Sequence, residues 1–212
     1  TLIKAGCGVG KTHCLRVSYV PNNLGTPRIG ALIPIAPAKE YTLNYDLYFE
    51  SGFEFVKGGK LPGLAPVNPV SGCNAKSPDQ WSARLMWGRY GQVRPYVYHQ
   101  DQSSRCGEGP EVKKFNFKTG RWYALSLRIK VNSAADKHDG IVELYIDGVR
   151  QASHTGVRLR GEINVDTEIN RLFFATFYGG SDPSWAPSKT TYARFDNFAV
   201  HPGLRVRTAP GL

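Results

Sequence analysis

Apolar residues recur at every second position along most of this 212-residue chain. Tyr41, Leu43, Tyr45, Leu47 and Phe49 alternate with Thr42, Asn44, Asp46, Tyr48 and Glu50. Tyr123, Leu125, Leu127, Ile129 and Val131 alternate with Trp122, Ala124, Ser126, Arg128 and Lys130. A period of two marks a strand with one buried face. Further strands are expected over Cys14–Val20, Trp81–Trp87, Tyr96–Tyr98, Val142–Ile146, Leu172–Tyr178 and Tyr192–Val200. The Leu172–Tyr178 run is almost continuously apolar and reads as an interior strand. Asp147-Gly148 reads as a two-residue hairpin turn into Val149-Arg150-Gln151. No segment carries helical periodicity, so the pattern predicts an all-β fold, an antiparallel sandwich or barrel. Without repeats or linkers, residues 1–212 are read as one domain.

The stretch from Lys60 to Tyr98 gathers polar groups on one side. Gly58 to Gly63 reads as a turn that carries Lys60. Ser82 and Arg84 share one strand face, with Trp81, Ala83, Leu85 and Trp87 on the other; Tyr96 and Tyr98 share a face as well. If the two strands pair, a guanidinium, a serine hydroxyl and two phenols line one surface, with an ammonium at its edge. His99 points away by the same alternation and reads as structural, whereas Gln100 falls on the Tyr98 face. Polar loops, Pro62–Gln80 and Gln100–Pro110, flank this cluster.

Charge and cysteines narrow the partners. The net charge of +10 favours a polyanion. Nucleic acid fits by charge alone and is the weaker expectation. No apolar run is long enough for a membrane helix, and no signal peptide is evident at Thr1. The four cysteines, Cys7, Cys14, Cys73 and Cys106, have no metal-binding spacing. They allow three pairings. Cys7–Cys14 would close a tight glycine loop, and Cys73–Cys106 would staple the loops beside the cluster. Two disulfides suit an exported protein, secreted or periplasmic. The segment Ala5-Gly6-Cys7-Gly8-Val9-Gly10-Lys11-Thr12 nearly fits a phosphate-binding loop. Such a loop needs a strand before it and a helix after it, and here a strand follows. No HxH, HExxH or CxxC pattern occurs, so no catalytic metal or other cofactor is expected, and the sequence leaves a structural calcium ion open.

The cluster suits one reaction in particular. Its same-face positions hold no carboxylate, which argues against glycoside hydrolysis. Cations and hydroxyls can instead neutralise a uronate carboxylate, making the adjacent C5 proton acidic. A tyrosine can then take that proton and protonate the departing O4, and nearby cations would favour its phenolate. Tyr98 is the preferred base, Tyr96 its support, and Lys60 the next candidate.

The residues Gly58-Gly59-Lys60-Leu61-Pro62-Gly63-Leu64, Ser82-x-Arg84-Leu85-Met86-Trp87 and Tyr96-x-Tyr98 resemble the signature of polysaccharide lyase family 14. The likeness extends to Tyr45-Asp46-Leu47-Tyr48-Phe49, Thr119-Gly120-Arg121-Trp122-Tyr123, Gly179-Gly180-x-Asp182 and Phe195-Asp196-Asn197-Phe198. The resemblance implies a β-jelly-roll of two antiparallel sheets. It implies Lys60, Ser82, Arg84, Tyr96 and Tyr98 as the catalytic set. The substrate would be a 4-linked uronic acid polymer, mannuronate-rich alginate or glucuronan, cleaved by β-elimination. Gly88 stands where the family pattern leads one to expect Arg, and Arg89 is the candidate to replace it in substrate binding, with Gln100 and Tyr178 as further sugar contacts. The chain is expected to act as a monomer on acidic polysaccharide, with neither nucleic acid nor membrane as partner. The rival reading is a jelly-roll module that binds acidic glycan without cleaving it.

Overall fold

The computed structural model describes residues 2–22, 25–26, 29–180 and 182–211. Twelve strands follow one another: β1 Leu2–Lys4, β2 Cys14–Tyr19, β3 Ile29–Ala38, β4 Glu40–Phe49, β5 Gly58–Ala65, β6 Ser82–Gly88, β7 Val93–Tyr98, β8 Trp122–Lys130, β9 Gly140–Ile146, β10 Val149–Val157, β11 Ile169–Tyr178 and β12 Thr191–Pro202. The helical pieces among the described residues are single 3-10 turns. Seven strands form one sheet in the order β1-β2-β12-β4-β8-β9-β10, and five form the other, β3-β11-β5-β6-β7. Every pairing is antiparallel. This is the antiparallel all-β fold expected from the alternation, in the two-sheet jelly-roll form that the family resemblance implies. Asp147 and Gly148 both have positive φ, 49° and 82°, as a twist-matched hairpin turn requires.

The inward faces of both sheets make one core. Leu43, Tyr45, Leu47 and Phe49 of β4 meet Trp81, Ala83, Leu85 and Trp87 of the β6 segment, all fully buried. Trp81 and Trp87 are thus core residues, as their alternation indicates. At one end Tyr19, Phe53, Trp87 and Tyr178 pack edge to face or tilted, with ring centroids 5.5–6.0 Å apart, an arrangement that adds ring–ring attraction to plain burial.

The turn expected over Gly58–Gly63 is instead a strand. β5 lies between β11 and β6 and is buried along its whole length. Its glycines and Pro62 argue locally for a turn, but pairing on both edges overrides them. Pro62 is accommodated by an irregularity: Leu61 pairs with Leu85 and Leu64 with Ala83, so β5 spends one more residue than β6 there. Prolines sit in sheets at such bulges. Gly63 allows the close approach, since a Cβ there would lie 2.0 Å from the Ala83 carbonyl oxygen. β3 was not evident from the sequence. Its run Ile-Gly-Ala-Leu-Ile-Pro-Ile-Ala-Pro-Ala lacks alternation and contains two prolines, which an edge strand tolerates.

The outer face of the five-stranded sheet lies under the two polar loops. Cys73 and Cys106 are bonded across them, and Cys7 and Cys14 close the N-terminal glycine loop. That loop contains a 3-10 turn, Val9–Lys11, and leads into β2, so it lacks the strand–loop–helix frame of a phosphate site. Glu108 exchanges two backbone hydrogen bonds with Val97, 2.9 Å each, and so covers the open edge of β7.

Candidate active site

Strand register decides which side chains meet. Across β6 and β7, Ser82 lies opposite Tyr98, Arg84 opposite Tyr96, and Met86 opposite Arg94; across β5 and β6, Lys60 lies opposite Met86. All seven therefore share the outer face of the sheet. A cavity of about 500 Å³ opens there, and Lys60, Arg84, Met86, Arg94, Tyr96 and Trp185 contribute to its walls. No described residue lining it is a carboxylate. Lys60 and Arg84 are nearly buried, at 8% and 1% exposure, so electrostatic interactions there are only weakly screened by water.

The Lys60 Nζ sits 4.0 Å from the Tyr96 ring centroid and donates to the Met86 sulfur at 3.1 Å. The Arg84 guanidinium lies 5.7 Å from the same ring and 4.7 Å from that of Phe173. Gly107 lies flat against Tyr96; a Cβ there would come within 2.9 Å of the ring. Burial pushes the Tyr96 phenol above its ordinary pKa, and the bond to the Tyr98 hydroxyl adds to this; the Gly107 N–H and the Arg84 charge offset it only in part. Tyr96 is therefore a neutral phenol at ordinary pH, whereas the sequence suggested that nearby cations would favour the phenolate.

A family model described as polysaccharide lyase 14 matches residues 29–198. The chain belongs to the polysaccharide lyase 14 family. The matched span contains β3 to β11 and most of β12, so the whole five-stranded sheet and every cavity strand fall within it. Solved structures agree. A variant of the alginate lyase Aly36B in complex with alginate tetrasaccharide is 25% identical, covering 92% of this chain and 82% of its own, with a TM-score of 0.78. The alginate lyase of Aplysia kurodai is 28% identical over 90% of this chain and 83% of its own, with a TM-score of 0.74. The alginate lyase vAL-1 from Chlorella virus, 21% identical over 95% of this chain and 88% of its own, shares the fold at a TM-score of 0.77. No curated protein sequence matches the chain.

Within the lyase, the residues singled out from the sequence separate into two groups. Lys60, Arg84 and Tyr96 line the cavity; Ser82 and Tyr98 do not. The Ser82 hydroxyl donates to the Val70 carbonyl at 2.7 Å and pins the covering loop. The Tyr98 hydroxyl accepts from the Cys73 N–H at 2.8 Å and stands 3.3 Å from that of Tyr96. Fully buried, Tyr98 is placed behind Tyr96 and does not line the cavity, where Tyr96 does. Gln100 is also placed elsewhere: its amide donates to the Gln80 and Leu159 carbonyls at 3.0 and 3.1 Å, holding loops together. Tyr178 has no exposed surface and packs 5.5 Å from Trp87, so its ring offers no platform to a sugar. Arg89 lies outside this cavity, in a neighbouring cleft. His99 is structural as read, paired with Glu108 at 3.1 Å.

Met86, Arg94 and Trp185, which also wall the cavity, escaped the sequence reading. Met86 continues the Ser82, Arg84 series by two, and Arg94 precedes Tyr96 and Tyr98 by two, so the same alternation could have found both. Trp185 sits in a short 3-10 turn far along the chain, and no periodicity points to it. Among the described residues no group of three or more His, Cys, Asp or Glu is arranged to hold a metal ion.

Proposed function

We propose that this lyase cleaves a 4-linked uronic acid polymer, alginate or glucuronan, by β-elimination. The observation that carries the reading is the convergence of Lys60, Arg84 and Tyr96 on one cavity whose described walls lack a carboxylate. Arg84 and Arg94 face the uronate carboxylate and stabilise the charge that develops when the C5–H bond breaks. The Lys60 amine, in its unprotonated form, takes the C5 proton. The C4–O4 bond then breaks, a C4=C5 double bond forms, and the neutral Tyr96 phenol delivers a proton to O4. Lys60 and Tyr96 stand side by side, which suits a sugar whose C5 hydrogen and O4 lie on one face, as in mannuronate. The alginate lyases among the structural relatives support the same class of substrate.

All the cavity groups come from one chain, in keeping with action as a monomer. The two disulfides are in keeping with a secreted or periplasmic enzyme. The test is to digest polymannuronate, polyguluronate and glucuronan and follow the ultraviolet absorbance of the unsaturated product. Absorbance growing with any of them supports the reading. Binding of all three without product would return the chain to the role of a glycan-binding module.

A further inference from the structure

The inward face of β11 carries a threonine that packing does not call for. Thr176 lies between Phe174 and Tyr178 on that face and, like Tyr178, is fully buried. A hydroxyl buried among apolar side chains costs free energy unless it is bonded. Thr176 is bonded twice. Its Oγ1 donates to the Lys60 carbonyl at 2.8 Å and lies 2.6 Å from the Tyr19 hydroxyl. Threonine has one hydroxyl proton. The Lys60 carbonyl takes it, so the Tyr19 hydroxyl donates to Thr176. Tyr19 keeps the proton this requires: burial raises its phenol above the ordinary pKa, and the Thr176 bond offsets this only in part. The donor chain therefore runs from β2, in the seven-stranded sheet, through β11 to the backbone of Lys60 on β5.

The bond falls where the sheet is irregular. Between the pair Phe173–Gly63 and the pair Phe177–Lys60, β11 spends one more residue than β5, and Thr176 lies within that extra length. The register of β5 against β6 shifts just after Lys60 as well, between Leu61 and Leu64. We propose that Thr176 is a positioning residue for Lys60: its hydroxyl, oriented by Tyr19, fixes the Lys60 backbone so that the amine stands between the Met86 sulfur and the Tyr96 ring. Those contacts measure 3.1 and 4.0 Å, and a misplacement of about 1 Å at a reacting centre can cost about a hundredfold in rate. Thr176 does not line the cavity, so it touches no substrate and acts only through Lys60. The inference rests on the reading of Lys60 as the group that takes the C5 proton.

The test is a double-mutant cycle on sodium alginate. Thr176→Val removes the hydroxyl and is expected to lower kcat roughly ten- to hundredfold, with KM within about twofold of the parent. Thr176→Ser restores the hydroxyl and should recover most of the rate. Val142→Ala, which opens the buried core on β9 of the other sheet, is the control for lost stability and should leave kcat near that of the parent. In a Lys60→Ala background Thr176→Val should change kcat no further, because the group it positions is gone. A multiplicative loss in that background, an equal loss in Val142→Ala, or a parental kcat in Thr176→Val would each overturn the proposal. If Thr176→Val does not fold, Tyr19→Phe enters the same cycle, with a smaller fall of about three- to tenfold expected and additivity again the refuting result. A second measurement needs no turnover: acylation of Lys60 by an amine reagent, followed by peptide mass spectrometry against exposed Lys39. Thr176→Val should speed labelling of Lys60 about two- to tenfold and leave that of Lys39 unchanged. If the parent cleaves no uronan, the function reading fails, while the positioning of Lys60 by Thr176 still stands or falls on the labelling rate.

Discussion

Exchanging Tyr96 and Tyr98 for phenylalanine, one at a time, tests the assignment of the proton donor. The two phenols are 3.3 Å apart, yet they differ in what removal of the hydroxyl takes away. Tyr96 lines the cavity beside Lys60, and its loss removes the group proposed to protonate O4. General acid catalysis of this kind contributes about a hundred- to ten-thousandfold, so kcat of Tyr96→Phe should fall by that order. Little stability should be lost, because the ring and its contacts remain. Tyr98→Phe instead removes the acceptor of the Cys73 N–H, whose part-buried bond to the hydroxyl is 2.8 Å. Losing such a hydrogen bond costs about 0.5–1.5 kcal/mol. That variant should therefore unfold at lower urea concentration while keeping most of its turnover. The assay pairs initial rates of product absorbance with urea denaturation followed by circular dichroism. A Tyr96→Phe enzyme within about twofold of the parent would remove Tyr96 from the chemistry. A Tyr98→Phe enzyme of parental stability but severely lowered kcat would reverse the assignment.

Lys60→Ala should lower kcat by roughly a hundredfold or more, as loss of a preorganised group at the reacting centre does. Replacing Cys73 and Cys106 by serine opens a link between residues 33 apart in sequence and should cost about 3–4 kcal/mol in chemical denaturation, with KM rising because both cysteines wall the cavity. Glu50, held by Arg16 at 2.7 Å and Arg194 at 2.6 Å, has its pKa lowered to about 2 from 4.5, chiefly by the Arg16 hydrogen bond. A depressed carboxylate pKa stabilises the fold above the unfolded value and loses that contribution as pH falls through the folded one. Glu50→Gln should thus be less stable than the parent at pH 7, and the gap in urea midpoints should shrink below about pH 4.5 and close near pH 2.

The sequence by itself determined the faces of the strands. Successive Cβ atoms of a strand point to opposite sides, so alternation alone put Ser82 with Arg84 and Tyr96 with Tyr98, and set Trp81, Leu85 and Trp87 on the opposite face of their strand; the pairing of the two strands joined the four on one surface. It also placed the Asp147-Gly148 turn, whose positive φ values few other pairs tolerate. Alternation carries no information about depth along a face. Ser82 and Tyr98 share the face of Arg84 and Tyr96, but the loop carrying Val70 and Cys73 covers their end of the sheet; that loop is placed by a disulfide between residues 33 apart. Nor could a continuously apolar run such as Leu172–Tyr178 say which of its sides is the core, and Tyr178 proved to be inside. The β5 segment was misread because glycine and proline report local preference, whereas its strand conformation comes from neighbours distant in sequence, β6 and β11. Trp185 reaches the cavity through the turn after β11, a juxtaposition made by the packing of the whole chain. Local chemistry fixed which residue types could serve the reaction; only long-range contacts decided which of them stand at the cavity.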